Sequence, residues 1–169
     1  MATKLTTNLS IETVRLRLKS LIEIECTDTF KNHFDQIFKS KNDTRLLGTV
    51  ENYNFKIWIS DNRGVTGMFY PIIKGNFIKT RNGIDIKIRS QMNMIGLAFF
   101  LAYSFSVAYY VLTAIVIQEQ NDIKFLIPRF FIALILYGLF TSVPTVNYLR
   151  TSKIVKRHVI EGLRKRNVP

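Results

Sequence analysis

Met92–Ile117 reads MNMIGLAFFLAYSFSVAYYVLTAIVI, and Phe125–Leu149 reads FLIPRFFIALILYGLFTSVPTVNYL. The first run holds 26 residues without a charge. Each run exceeds the roughly 20 residues a helix needs to cross a hydrocarbon core. The connector, Gln118 to Lys124 (QEQNDIK), is short and polar. The pattern predicts a transmembrane helical hairpin with spans 92–117 and 125–149 and an external loop 118–124. It fixes the class of the chain and leaves its activity open.

Ninety-one residues precede the hairpin and 20 follow it. The first part is enough for one small domain with a thin core. Lys19, Glu23 and Glu25 break every apolar stretch in the first 30 residues, so no signal-peptide h-region is expected there. The first membrane helix is then its own insertion signal. The single cysteine, Cys26, excludes an intrachain disulfide and fits a reducing compartment.

A net charge of +12 invites a nucleic-acid reading, but the distribution opposes it. Residues 1–91 carry 15 Lys/Arg against 9 Asp/Glu, and residues 150–169 carry 7 against 1. The connector holds Lys124 against Glu119 and Asp122. Basic residues thus flank the open ends of the hairpin, as the positive-inside rule requires. Both termini are expected in the cytoplasm of a cell whose inner (plasma) membrane the chain crosses twice. The expected partner is a bilayer with anionic headgroups, which explains the charge without nucleic acid. A homo-oligomer or a membrane-protein partner is compatible with the same pattern.

Residues 1–8 are polar and expected to fray. Ser10 suits an N-cap, with Glu12 in the first turn. Ile11, Val14, Leu18, Leu21 and Ile22 recur at helical spacing, although Val14–Leu18 and Ile22–Glu25 also alternate as strands do. Good helix formers favour a helix to about Ile24. Phe30, Phe34, Ile37 and Phe38 predict a second short helix over 29–40. From Thr44 the period becomes two: Phe55, Ile57 and Ile59 share one face, as do Ile84, Ile86 and Ile88. Asn82-Gly83 is a hairpin turn signal, and Asp61 to Gly67 predicts the earlier turn. Pro71 and Gly75 place the intervening strand late, at an edge, or bent. The prediction is an antiparallel meander of three or four strands with one helix on its apolar face. The fold class is therefore α+β: an N-terminal cytoplasmic domain over 1–91, the hairpin over 92–149, and a basic amphipathic tail helix over 150–169.

Several residues are candidates for a role. Ala98, Ala102 and Ser106 on the first span, and Gly138 and Ser142 on the second, have the small-residue spacing of helix packing; the favoured contact is between the two arms, the alternative between copies. Arg129 is the one charge inside a run, and beside the outer boundary it is expected to snorkel. Pro128 fits a first turn, and Pro144 is expected to kink or end its helix. Tyr103, Tyr109, Tyr110 and Tyr137 predict interhelical hydrogen bonds. Arg150, Lys153, Lys156, Arg157, Arg164, Lys165 and Arg166 predict headgroup contacts. They share a helix with the Val155–Val159–Leu163 stripe, which suits either the headgroup layer or the flank of the β-domain. Trp58, on the polar face of its strand, reads as an interfacial anchor or a partner contact.

Catalytic patterns are sparse. His33 and His158 lie in separate regions, Cys26 has no C-x-x-C partner, and no phosphate-loop, G-x-S-x-G or H-E-x-x-H motif occurs. No metal or cofactor is expected. Asp28, His33 and Asp35 cluster in sequence and read as a surface group.

SIETVRLRLKSLIE, NYNFKIW, FYPIIKGNFI and NGIDIKIR, the last running straight into a span, give the chain a resemblance. Over residues 10–120 it resembles a group of uncharacterised small bacterial two-span membrane proteins with an N-terminal cytoplasmic α+β domain. The resemblance implies a bacterial inner membrane and carries over no functional residue. The expectation is a non-enzymatic membrane-surface interaction, scaffolding or regulatory module. The alternative is a small oligomeric transporter or channel, or a membrane-embedded enzyme.

Overall fold

A computed structural model describes residues 3–39, 45–60, 68–81, 83–117 and 126–164; of a few of these, Arg129 among them, only the backbone is described. The predicted turn at 61–67 and the connector 118–124 lie outside the described residues, as do Lys165 and Arg166. The order is β1 (Thr3–Thr7), α1 (Ile11–Leu21), β2 (Ile24–Glu25), α2 (Phe30–Lys39), β3 (Arg45–Val50), β4 (Asn54–Ser60), β5 (Pro71–Thr80), β6 (Gly83–Met92), α3 (Met94–Ile117) and α4 (Leu126–Arg164).

The sheet has six strands in the order β1-β6-β5-β4-β3-β2. Its centre is the predicted meander β3 to β6, wholly antiparallel. Two short strands extend it beyond the prediction. Residues 3–7 do not fray: they pair antiparallel with β6, Leu5 opposite Ile86. The helix after Ser10 stops at Leu21 because Ile24–Glu25 join β3 in parallel. Both segments are polar and alternating, and only a neighbouring strand with free backbone groups makes them strands. Ser10 does cap α1, its side chain accepting from the Thr13 N–H.

Pro71 opens β5, where its missing N–H breaks no ladder bond. Gly75 lies opposite Phe55, whose ring occupies the space a Cβ would fill. The proline and the glycine therefore leave β5 a central strand. Gly83 adopts φ 139°, as the β5–β6 turn demands.

Each face of the sheet has its own core. On the first, Phe55, Ile57, Ile73, Phe77, Ile84, Ile86 and Ile88 pack under Val14 and Leu18 of α1 and Val155, Val159 and Leu163 of α4. On the second, Leu47, Trp58 and Ile72 pack with Ile37 of α2, Met68, Phe69, Tyr70 and Ile95. The predicted single covering helix is thus three helical segments, because strands β3 to β5 carry apolar residues on both faces over part of their length.

Trp58 is corrected by this arrangement. It is fully buried, and its Nε1–H donates to Gln36 Oε1 at 2.9 Å. The face that alternation marks as polar is closed by α2 at that point.

The two apolar runs form α3 and most of α4, both long and apolar enough to span a membrane. The tail is not a separate helix. α4 continues through Pro144 to Arg164, 39 residues or about 58 Å. Pro144 costs the helix one backbone bond but does not end it, since packing on the sheet holds the following turns in place.

Candidate functional site

The best-organised polar group lies under α2, where the helix meets the second core. Thr29 begins α2: its Oγ1 accepts from Asn32 N and its carbonyl from His33 N. Four residues apart, His33 and Ile37 fall on the inward face of the helix. The His33 ring is fully buried against Trp58, with ring centroids 5.1 Å apart. Both its nitrogens are engaged. Nε2 donates to Asp28 Oδ1 at 2.8 Å, and Nδ1 meets the hydroxyl of Tyr70. Because a carboxylate only accepts, Nε2 carries a proton, and in the neutral ring Nδ1 is left to accept from Tyr70.

Asp28 also takes two cations from the sheet, Lys56 at 3.0 Å and Lys74 at 3.5 Å. Burial pushes its carboxyl up, but the His33 hydrogen bond and then Lys56 and Lys74 outweigh it, leaving the group below the usual carboxylate range. For Tyr70, burial, Cys26 and Asp28 all act in one direction and push the phenol well above its ordinary value. Cys26 receives a hydrogen bond from Gln36 at 3.3 Å, yet burial dominates and raises its thiol.

The group continues into α3. Asn93 is the only residue between β6 and α3, and it is fully buried. Its Nδ2 donates to the carbonyls of Met68 and Tyr70, and its Oδ1 accepts from Gly96 N at 2.8 Å. Asn93 therefore caps α3 and fastens it to the segment that carries Tyr70. A chain of polar contacts runs from Lys56 and Lys74 through Asp28, His33 and Tyr70 to the first turn of α3.

Chemically, Asp28–His33–Tyr70 has the order of a proton relay. It does not make a nucleophile. Tyr70 is held protonated, and the ring of His33 is closed to solvent. The arrangement joins elements: it ties α2 to β4 and β5 and sets the start of α3.

The sequence places Asp28 and His33 together but on the surface; the structure buries the His33 ring fully and leaves 7% of the Asp28 side chain exposed. Asp35 takes no part in the relay. Tyr70, Gln36 and Asn93 were not candidates. One signal was present: His33 shares the apolar α2 face with Ile37. Tyr70 and Asn93 come together only through the β5–β6 pairing. Among the described residues no cluster of three or more metal-ligating side chains occurs.

The other candidates are placed as follows. Ala98, Ala102, Ser106, Gly138 and Ser142 are all exposed, and a Cβ on Gly138 would meet nothing within 4 Å. The contacts between the arms that the described residues show are made by other side chains. The arms meet through Tyr103, stacked on Phe140 at 3.8 Å and bonded to the Leu136 carbonyl at 3.1 Å, and through Tyr137 beside Ser104. Large side chains bridge the arms, and the position of Gly138 is open on its side. A groove of about 300 Å³ separates the arms further along, lined by Val107, Val111, Ala133 and Leu134 among others and nearly all apolar.

At the tail, Val155, Val159 and Leu163 are buried in the first core, so the sheet, not lipid, takes the stripe. Arg150, Lys153, Arg157 and Arg164 are exposed, and Lys156 is half-buried. Arg17 Nη1 donates to the Leu163 carbonyl at 2.8 Å and closes the C-terminal end of α4 onto α1. Ser152 donates to Ser90 at 2.7 Å, and Ser90 meets the Tyr148 hydroxyl, so α4 is also pinned to β6.

No protein-family description, curated protein or solved structure matches the chain.

Proposed function

We propose that the chain is a membrane-anchored interaction or regulatory module, with its α+β domain and both termini on the cytoplasmic face. The observation that carries this reading is the double fastening of the domain. α3 leaves the sheet after one buried asparagine, and α4 enters the first core without a break. A domain held this way moves with the two apolar helices as one body, which suits a module that reports or positions and does not swing on a tether.

The anchoring is supported by the surface of α3 and α4. Only 11% of the residues in each apolar window are buried, and rows of large side chains such as Phe105, Leu112, Phe131, Ile135 and Leu139 face outward. Water disfavours such a surface at about 25 cal/mol per Å², whereas a hydrocarbon core accepts it. The orientation is supported by the charge asymmetry across the hairpin. The exposed basic residues of α4 then lie just below the membrane, at headgroup level or within reach of its field.

A membrane-embedded enzyme needs reacting groups that a substrate can reach, and the buried His33 and Tyr70 do not offer them. A transporter or channel needs a polar path, and the groove between the arms is apolar.

Carbonate-washed membranes should retain the chain. A reporter active only inside cells should work when fused after Pro169, and one active only outside should work at Gln120. Recovery in the soluble fraction, or the reverse reporter pattern, would reject the anchoring and orientation. Purification in mild detergent should co-isolate a stable partner, whereas ligand-dependent turnover or ion flux in liposomes would replace the module by an enzyme or a channel.

A further inference from the structure

The second face of the sheet is covered only in part. Ile37 of α2, Met68 to Tyr70 and Ile95 pack with Leu47, Trp58 and Ile72, and beyond these none of the described elements covers the face. Alternation with the first core puts Lys56 of β4, Lys74 of β5 and Arg89 of β6 on that open part. The register sets them side by side, Lys56 opposite Lys74 and Lys74 opposite Arg89. The next row holds Asn54 opposite Asn76, and Asn76 opposite Lys87. Like charges directly across a strand pair destabilise a sheet, yet here two such pairs adjoin.

One part of the row shows what it takes. The Asp28 carboxylate sits against Lys56 and Lys74. Arg89 is exposed and makes no hydrogen bond or ion pair among the described residues. Beside this row, two residues on from Asp28, Phe30 and Phe34 expose a stacked pair of rings, 56% and 44% accessible with centroids 6.2 Å apart. The pair follows directly on the carboxylate that holds Lys56 and Lys74, and exposed aromatic rings on a basic face match the composition of an interface core, where aromatic and arginine side chains are enriched.

We infer that this open half-face is a docking surface for an acidic segment of another protein, with Arg89 and Lys87 pairing its carboxylates and Phe30 and Phe34 taking an apolar side chain. The inference rests on the module reading and names its partner's chemistry. The cations spread flat over about 10 Å, three strands at roughly 4.8 Å spacing, which suits several carboxylates on a chain better than one cradled phosphate. A bilayer does not reach them: Arg89 lies five residues before Met94, about 16 Å along the strand, and the headgroup layer is only about 5–7 Å deep. Single-stranded nucleic acid uses rings on the face itself for stacking, and the open strand positions carry Lys, Asn, Arg, Thr, Ile78 and Asp85, whose carboxylate is taken by Lys4 at 2.8 Å. This chain's own tail is basic and does not complement the face.

The test uses the full chain in neutral detergent micelles and reads fluorescence anisotropy of three probes. These are a labelled decaglutamate peptide, the same peptide with two glutamates replaced by tryptophan, and a labelled ten-nucleotide oligothymidylate. The tryptophan-bearing peptide should bind best and the oligothymidylate worst. Lys87→Glu with Arg89→Glu should weaken peptide binding roughly tenfold, the scale of like-charge juxtaposition at an interface. Phe30→Ser with Phe34→Ser should abolish the advantage of tryptophan and leave decaglutamate binding in place. Lys153→Glu with Arg157→Glu makes the same charge change on α4 and should leave binding within about twofold, as screened surface charges do. Equal loss in both charge-reversal variants, tighter binding of the oligothymidylate, or no peptide binding by a chain with native thermal unfolding would overturn the surface. Each leaves the anchoring reading untouched, since that is judged from the membrane fraction and the reporters.

Discussion

The two faces of the sheet are closed in different ways. The first is sealed chiefly by apolar side chains: three isoleucines of β6, Phe55, Phe77 and Ile73 meet α1 and the end of α4, with Ser90–Ser152 and Arg17–Leu163 hydrogen bonds at the margin. The second has an apolar core of its own around Trp58 and Ile72, and a chain of polar contacts from Asp28 to Asn93 runs beside it. Apolar burial is strong and non-directional. It holds α1 and α4 down and tolerates small shifts. Hydrogen bonds are weaker in net terms but directional. They set where α2 lies and where α3 begins. The first face therefore rests mostly on apolar burial, while the second combines burial with hydrogen bonds that fix position.

Replacing Ile86 by Asp tests the first face most severely. A charge with no partner would sit at a fully buried centre, and the loss should exceed about 4 kcal/mol, enough to unfold a small domain. Circular dichroism and protease resistance in detergent should both show it; a folded variant would mean that the face assignment is wrong. Tyr70→Phe tests the second face more gently. The ring still packs, but His33 Nδ1 loses its partner in a buried site, a cost of about 1–3 kcal/mol in denaturant titration. An unchanged midpoint would make the polar chain irrelevant to stability.

Acid should loosen the second face before the first. The Asp28 carboxyl is lowered in the folded chain, so its contribution is complete above the unfolded value near 4 and is lost as pH falls through the native value. The stability gap between the wild type and Asp28→Asn should be widest at neutral pH and close below about pH 4. A gap that stays constant on acidification would assign the dependence to another carboxylate. Lys87→Glu, one residue from Ile86 but on the open face, should change stability by no more than about 0.5 kcal/mol. An effect as large as that of Ile86→Asp would reverse the faces.

Much of the first face is legible in the linear order of residues. Ile84, Ile86 and Ile88 alternate without exception, and Ser10 with Ile11, Val14 and Leu18 marks the helix above them. The second face is hidden for a physical reason. Its strands alternate apolar and polar only where one side stays wet. At Trp58 and Ile72 both sides are dry, and a period-two reading then assigns the wrong side. Asp28 and His33 look like surface residues because polar side chains usually are. Only Tyr70, 37 positions away, supplies the partner that makes burying them favourable.

The same division holds for the long helices. Composition alone determines that the two apolar runs yield helices long and apolar enough to span a membrane, α3 from Met94 and α4 from Leu126, because a run of that length with at most one charge has few other uses. The sequence likewise marks a tight connection before Ile84 and leaves no room for a linker between β6 and α3, although Gly83 itself pairs with Thr80 and β6 runs on to Met92. It does not determine that α4 runs on into the domain, that the arms meet through Tyr103 and Phe140, or that residues 3–7 and 24–25 become strands. Those outcomes depend on surfaces contributed by distant segments: a free edge of β6 or β3, an open apolar face for Val155 and Val159, and the width of the gap between two helices. Local pattern fixes which backbone states are cheap. Tertiary contact selects among them wherever the local preferences differ by less than the packing energy at stake.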